Sequence, residues 1–335
     1  MNIFILIAPK GTNEMGAHTR SSIVGGRGPL VGRFPAPRGR STTIAVIADP
    51  HVSPDAEGTW KLYHRTEARV MTAIADINRL AVDAAVFVGD LTRDGHCREF
   101  DRLDELLDQC AVPVLAVPGN HDVPKEYDDH QTPPLLEFIS QYTPGSLPFV
   151  ERVGSVDIVG INTAWMPDGS LDETHSGAIS RAQLDWLERT LPETETPIIA
   201  MHHTAAPGSD HAYRANDVEY RLSNADELTA VLEKHDVGLC FAGHVHWPSV
   251  APLGGGYEVV APSTCSFPQA YLLVHVEPRG TTIELVPLAD NPELAEAYRA
   301  ARADPRGSRL TDSTDAGYFQ RFPLVDAAPD RWAVP

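Results

Sequence analysis

From Thr42 onward the chain alternates between short apolar runs and amphipathic stretches. TTIAVIAD (42–49) is β-branched and apolar until its final Asp49, which predicts a buried strand. HRTEARVMTAIADINRL (64–80) places Val70, Ile74, Ile77 and Leu80 at helical spacing. DAAVFVGD (83–90) predicts a second buried strand ending at Asp90. Residues 97–109 predict a helix with Phe100, Leu103, Leu106 and Leu107 inward, and VPVLAVPGNHD (112–122) a third strand running into a loop at Asn120. A β-α-β-α-β rhythm of this kind predicts a parallel inner sheet flanked by helices.

The second half reads as more antiparallel. FVERVGSVDIVGIN (149–162) predicts a hairpin turning at Gly154-Ser155. RAQLDWLERTL is an amphipathic helix, and PIIAMHH a strand ending in a His pair. NADELTAVLEKHD predicts a helix with Ser223 or Asn224 as N-cap. VGLCFAGHVH is a further buried strand, followed by strands near 257–261, 270–277 and 281–288 with a turn at Gly280, and by a helical stretch near Pro292–Arg302. Residues 1–40, rich in Gly, Arg and Pro and without periodicity, are expected to lie outside the fold as a disordered tail or an extraneous upstream extension. The expected organisation is therefore a tail over 1–40, one domain over 41–288, and a C-terminal extension over 289–335 packing on that domain.

Composition narrows the function classes. The 335 residues carry a formal charge of -19. Residues 1–40 hold six basic residues against one acid, which leaves 21 basic and 45 acidic residues in the rest, a net of -24. Such a balance disfavours a broad nucleic-acid surface and adhesion to anionic membranes. No stretch approaches the roughly 18 apolar residues of a membrane span. The apolar start MNIFILIAPKG is a poor signal peptide, lacking a preceding basic residue and an A-x-A-like site. The four cysteines (Cys97, Cys110, Cys240 and Cys265) form no C-x-x-C pair. Cys110 and Cys240 sit at the edges of apolar runs and are expected to be buried thiols. A reducing cytoplasm is the default setting.

The chemistry lies at the strand ends. Five motifs carry metal-type side chains: Asp49-Pro50-His51, Gly89-Asp90, Gly119-Asn120-His121-Asp122, His202-His203 and Gly243-His244-Val245-His246. Taken singly, each has a bland reading as a turn or a surface His. Taken together, each follows an apolar strand, and loops beyond strand carboxyl ends line the ligand crevice of open α/β sheets. Asp49 and His51 can face one ion if the chain leaves strand geometry after Asp49. A carboxylate such as Asp90 can bridge two ions. Asn120 offers a neutral oxygen, and His244 and His246 have the period-two spacing that faces both to one side. Mixed N and O donors suit Mn, Fe, Zn or Co better than Ca or Mg, and the lack of cysteine argues against a structural zinc site.

The order D-x-H, G-D, G-N-H-D, H-H, G-H-x-H, spanning residues 44 to about 250, resembles the calcineurin-like metallophosphoesterase superfamily. It is most similar to the cyclic-nucleotide phosphodiesterase-like and glycerophosphodiesterase-like branch. The resemblance implies a four-layer α/β/β/α sandwich with two mixed β-sheets, the metallo-dependent phosphatase fold. It implies two metal ions, with Mn or Fe favoured over Zn: one held by Asp49, His51, Asp90 and His246, the other by Asp90, Asn120, His202 and His244. His121 matches the histidine that contacts phosphate and protonates the leaving oxygen, and His203 is placed behind the ligands. The implied reaction is hydrolysis of a small phosphodiester or monoester by a metal-bridging hydroxide.

Two departures stand out. Where many members read G-D-x-x-D-R-G, this chain reads Gly89-Asp90-Leu91-Thr92-Arg93-Asp94-Gly95. Either Asp94 supports His121 from a shifted position or another carboxylate does, and the phosphate contact of Arg93 is in question. The position of the ligand Tyr of purple acid phosphatases is Arg93, which argues against a tyrosinate-ligated iron. Within the superfamily a metal-free scaffold, a nuclease and a protein phosphatase are the alternatives. The partner expected is a small phosphoester; a membrane is not expected, nucleic acid is disfavoured, and a homodimer is open. Substrate choice falls to loops 52–63, 123–135, 164–179 and 204–222, whose Trp60, Tyr63, Tyr127, His130, Trp165, His175, His211 and Tyr213 could stack on a base or anchor the loops.

Overall fold

A computed structural model describes residues 30–34, 41–54, 57–124, 132–164, 176–207, 220–278, 280–308, 311 and 325–326. Two β-sheets pack face to face between two layers of helix. In the first half β2 (Thr42–Ile47), β3 (Ala84–Val88) and β4 (Val114–Val117) pair in parallel, joined through α1 (Thr66–Leu80) and α2 (Cys97–Leu107). Antiparallel β11 (Ala270–Glu277) lies beside β2, and β12 (Gly280–Pro287) beside β11.

The period of two in β2 explains the layering. Ile44 and Val46 face the other sheet, whereas Ala45 and Ile47 face the helices. Both faces are covered, so the strand reads as a continuous apolar run rather than an alternating one. Between the sheets, Ile44, Val86 and Leu115 meet Ile158, Ile198 and Phe241. Outside the first sheet, Ile74 and Ile77 of α1, Leu103 and Leu106 of α2 and Phe138 of α3 (Leu135–Tyr142) cover Phe87.

The second sheet has the order β5-β6-β7-β8-β10-β9. The hairpin of β5 (Phe149–Val153) and β6 (Val156–Gly160) forms as expected. Antiparallel pairs are commoner in the second half of the chain than among β2, β3 and β4, as expected, but this sheet is mixed. Strands β6, β7 (Pro197–Ala200), β8 (Leu239–Ala242) and β10 (Gly256–Val260) are parallel neighbours, and only β5 and the edge strand β9 (Ser249–Leu253) run antiparallel to theirs. The reason is that α4 (Arg181–Thr190) and α5 (Ala225–Lys234) are the crossovers of two further β-α-β units. With α6 (Asn291–Ala303) they bury Leu184, Leu187, Leu228, Leu232, Leu294 and Ala297 on the outer face of this sheet.

Part of the segment expected outside the fold is built into it. Residues Leu30–Phe34 form β1, antiparallel to β12 and parallel to β13 (Val325–Asp326). That pairing occupies the hydrogen-bonding groups that β12 would otherwise present at a sheet edge. Cys110 is half-buried rather than buried, Cys240 is buried, and none of the four cysteines is in a disulfide. No helix among the described residues is long and apolar enough to cross a membrane.

Candidate metal centre

The five motifs follow β2, β3, β4, β7 and β8, two or three residues past each strand end. The two sheets present these carboxyl ends at one rim, which gathers residues from Asp49 to His246. The backbone there departs sharply from strand geometry. Asp49, His51, Asp90, His244 and His246 have φ of 49°, 46°, 52°, 70° and 59°, the left-handed region that non-glycine residues avoid. Strain of this sort persists only where surrounding structure over-determines it, and it concentrates at functional sites. With that backbone, Asp49 and His51 bring donor atoms into one cluster.

Close approach needs small residues. A Cβ on Gly119 would overlap the Asp90 carboxylate, and one on Gly89, at φ 85°, would overlap the His202 ring. These two glycines let three loops meet at the Asp90 side chain.

Asp90 is at the centre and 2% exposed. Its Oδ2 lies 3.4 Å from His51 Nε2, and its Oδ1 lies 3.3 Å from His202 Nε2. The Oδ1 also accepts the His121 backbone N–H at 3.0 Å. On one side, Asp49, His51, Asp90 and His246 bring four donor atoms within 4.8 Å of one another. There His246 Nε2 is 3.5 Å from Asp49 Oδ1 and 3.2 Å from His51 Nε2. On the other side, His202 Nε2 is 3.2 Å from Asn120 Oδ1. His244 groups there with His202 and His203. All seven ligand candidates named from the sequence are thus brought to one place.

The imidazoles are oriented from behind. His202 Nδ1 donates to the Val88 carbonyl at 2.9 Å, which turns its Nε2 to the carboxylates. His246 Nδ1 is held by Ser266 Oγ at 2.9 Å, and His203 Nδ1 by Thr163 Oγ1 at 3.0 Å. Such outer contacts fix tautomer and ring plane in metal sites. His203 lies beside His202 and His244, with ring centroids 5.0 and 4.5 Å away.

The electrostatics favour a cation. Burial pushes Asp49 up to about 8, partly offset by His202. Burial would raise Asp90 too, but His202, His121 and His51 hold it well below the carboxylate range. Burial, aided by Lys61, keeps His51 and His246 far below the usual imidazole range and hence neutral. Burial would lower His202 as well, but Asp90 lifts it to about 9. Two neutral imidazoles pointing Nε2 atoms at each other beside two buried carboxylates form a donor set that a divalent metal ion completes. Proton and metal are alternatives at His202 Nε2.

His121 stands at the mouth, 29% exposed, with Nε2 3.9 Å from Asp90 Oδ2. Its Nδ1 donates to the main-chain carbonyl of Arg93. Among the described contacts, that nitrogen meets a main-chain carbonyl. The Asp94 carboxylate lies 3.3 Å from Arg93 Nε, and the Arg93 guanidinium rests over the Tyr63 ring at 4.6 Å.

Sequence reasoning missed three contributors. Asp122, last of the Gly-Asn-His-Asp motif, accepts from Leu91 N, Thr92 N, Thr92 Oγ1 and Gly119 N at 2.8–3.0 Å, tying the Asp90 loop to the Asn120 loop. Burial, then Asp90, pushes its carboxyl up to about 6 against those donors. Its place in a four-residue polar motif was the available signal. Cys265, buried, stands within 4.8 Å of His51 and His246 donor atoms, and Lys61 Nζ lies 3.1 Å from His51 Nε2. No motif flags these last two. Of the aromatics proposed for the rim, Trp60 is buried against the His246 ring at 5.4 Å and Tyr63 edges His51 at 6.3 Å, both as anchors. Tyr127, His130, Trp165, His175, His211 and Tyr213 lie outside the described residues.

Comparison with known proteins gives the same picture. A family model described as calcineurin-like phosphoesterase matches residues 42–248. The chain is 29% identical over 260 residues to a probable cyclic nucleotide phosphodiesterase of Rhodococcus erythropolis, covering 70% of this chain and 81% of that one. It is 26% identical to the 3',5'-cyclic adenosine monophosphate phosphodiesterase CpdA of Escherichia coli, covering 82% and 93%. Among solved structures, a dimetal phosphatase from Danio rerio shares the fold at a TM-score of 0.59 and 18% identity, covering 74% of this chain and 97% of that one. A purple acid phosphatase from yellow lupin shares it at 0.53 and 14%, covering 77% and 53%.

Proposed function

Because the chain belongs to the calcineurin-like phosphoesterase family, we propose that it is a binuclear metal-dependent phosphodiesterase acting on small phosphodiesters of the 3',5'-cyclic nucleotide class. The observation that carries this reading is the Asp90 carboxylate, whose two oxygens face two separate imidazole sets at 3.4 and 3.3 Å. One carboxylate serving two donor clusters suits a bridging ligand. Asp49, His51 and His246 would complete one set; Asn120, His202 and His244 would complete the other. The names of the relatives support the substrate class. Four cysteines outside any disulfide suit a reducing compartment, and we assign the protein to the cytoplasm.

Two divalent ions, when bound, supply Lewis acidity and acidify a shared water at working pH. The chain does the rest. Burial keeps His51 and His246 neutral, so their lone pairs stay available. The Val88 carbonyl and Ser266 hydroxyl set the ring planes. His121 is 29% exposed at the mouth, and the Arg93 carbonyl holds its Nδ1 so that Nε2 faces the site. It is therefore placed to hold a proton at Nε2 and to pass it to the leaving oxygen.

The test uses metal-stripped protein reloaded with Mn and assayed on bis-(p-nitrophenyl) phosphate, p-nitrophenyl phosphate, cyclic AMP and cyclic GMP. Metal-dependent turnover of the diesters is expected. Turnover of none of the four by protein shown to hold Mn would sink the hydrolase reading. The Asp90→Ala variant should lose Mn at both positions, and full activity in that variant would refute the bridging role.

A further inference from the structure

Among the described residues, the site holds a cation that the ligand set does not need. Lys61 Nζ lies 3.1 Å from His51 Nε2, the same nitrogen that faces Asp90 and His246. An ammonium has donors only, so it donates here to a neutral imidazole. Its main chain is firmly placed. Lys61 bridges antiparallel to Ser266, and its N–H donates to Thr59 Oγ1 at 3.1 Å. Its carbonyl accepts from Thr59 N and Tyr63 N, both at 2.9 Å, and the next residue, Leu62, donates to the Cys265 carbonyl at 2.8 Å. Its bridging partner, Ser266, is the residue whose Oγ holds His246 Nδ1. The stem of Lys61 thus starts from the wall of the metal centre, while its four-carbon chain leaves the ammonium adjustable.

A second basic side chain among the described residues, Arg93, is differently occupied. Arg93, in the motif where the family places its phosphate arginine, stacks on Tyr63 and pairs with Asp94. We infer that Lys61 takes over that duty: it is a substrate-binding residue that donates to a phosphoryl oxygen of the ester and of the phosphate product. A metal ion at His51 Nε2 would take the lone pair that Lys61 meets, and a cation beside a cation is repelled unless an anion lies between them. A phosphoryl oxygen is such an anion. This inference rests on the reading of the site as a metal-dependent phosphoesterase.

The test compares wild type, Lys61→Met, which keeps an unbranched stem, and Lys61→Arg. Bound Mn is measured by elemental analysis and calorimetry, and inorganic phosphate is titrated into Mn-loaded protein by calorimetry. Charge-assisted hydrogen bonds lost at such a site predict phosphate binding weakened on the order of tenfold to a hundredfold in Lys61→Met. Lys61→Arg should recover most of it, with Mn content unchanged in both variants. The KM for bis-(p-nitrophenyl) phosphate should rise more than kcat falls. Unchanged phosphate affinity in Lys61→Met overturns the inference, as does loss of Mn from it, which would mean that Lys61 maintains the metal site instead. If wild type binds phosphate through Lys61 yet hydrolyses no ester, the hydrolase reading fails and the phosphate site stands. If wild type hydrolyses esters and Lys61→Met is unaffected, the reverse holds. Wild type that neither binds phosphate nor hydrolyses esters overturns both.

Discussion

Replacing Asp122 by Ala should cost more stability than its lack of any place among the ligands suggests. Its carboxylate accepts from the backbone N–H groups of Leu91, Thr92 and Gly119 and from the Thr92 hydroxyl, all at 2.8–3.0 Å. Leu91 and Thr92 are 0% exposed, and Asp122 itself 2%. Alanine leaves three buried N–H groups without acceptors, each costing about 1–3 kcal/mol. The Thr92 hydroxyl can rotate, and one water entering the vacated space can accept from two of the donors. The net expectation is therefore towards the low end, about 3–5 kcal/mol. For a domain of this size about 1 kcal/mol moves Tm by roughly 2–4 °C, so the melting temperature should fall by about 6–20 °C. Asn should rescue only partly. It keeps one acceptor oxygen but turns its NH2 towards donors, either Leu91 N and Gly119 N or the Thr92 pair. The assay is differential scanning calorimetry in EDTA, which removes any contribution of metal to stability, followed by Mn titration of the folded variant. Because Asp122 joins the Asp90 and Asn120 loops, Mn affinity should fall with stability. A Tm within 2 °C of wild type together with unchanged Mn affinity would refute the claim that Asp122 clamps the two loops.

Three other outcomes follow from the same geometry. Asp90 lifts His202 to about 9, so the group is protonated in metal-free protein at pH 7; Mn binding at pH 7 should release at least one proton, seen as a buffer-dependent calorimetric enthalpy, and binding should weaken as pH falls. His121→Ala should lower kcat on diesters by on the order of 10²–10⁴ while Mn binding stays within a few-fold, and loss of Mn would instead make His121 a ligand. Burial would raise Asp157, but the two bonds from Arg152 and the N–H groups of Glu195 and Thr196 hold it below its ordinary value. A depressed carboxylate contributes stability above its unfolded pKa of about 3.9 that is lost as pH falls through the folded value, so Asp157→Asn should lower Tm at pH 7, and the gap should close towards pH 3. A pH-independent gap would show that the charge of Asp157 is irrelevant.

The apolar runs were enough to place most elements, because a strand covered on both faces must be apolar throughout, as β3 is from Ala84 to Val88. They marked the candidate ligands too. Each metal-type side chain interrupts the chain just where an apolar strand stops. Strand direction in the second sheet was less legible, since a short apolar run reads alike in parallel and antiparallel neighbours. β1 was hidden in a Gly- and Arg-rich segment whose pairing depends on the free edge of β12, with Phe34 opposite Thr281 and Leu30 opposite Glu284, rather than on local pattern. The N-cap of α5 shows the same limit. Asn224 occupies the position but spends its amide on both main-chain groups of Ile179, a contact only the fold creates.

What the sequence determined by itself is the inventory: strand-forming runs, amphipathic helices and seven donors at strand ends. These follow from local periodicity and from residue chemistry, which need no knowledge of distant neighbours. What only the tertiary structure decided is how the inventory is used. The left-handed backbone at five ligand positions, the Arg93 carbonyl behind His121, the four donors on Asp122 and the ammonium of Lys61 beside His51 all depend on loops from two sheets meeting within hydrogen-bond distance. Hydrogen bonds and charge contacts act over a few ångströms in space, whatever separates the residues along the chain, so no local pattern encodes them.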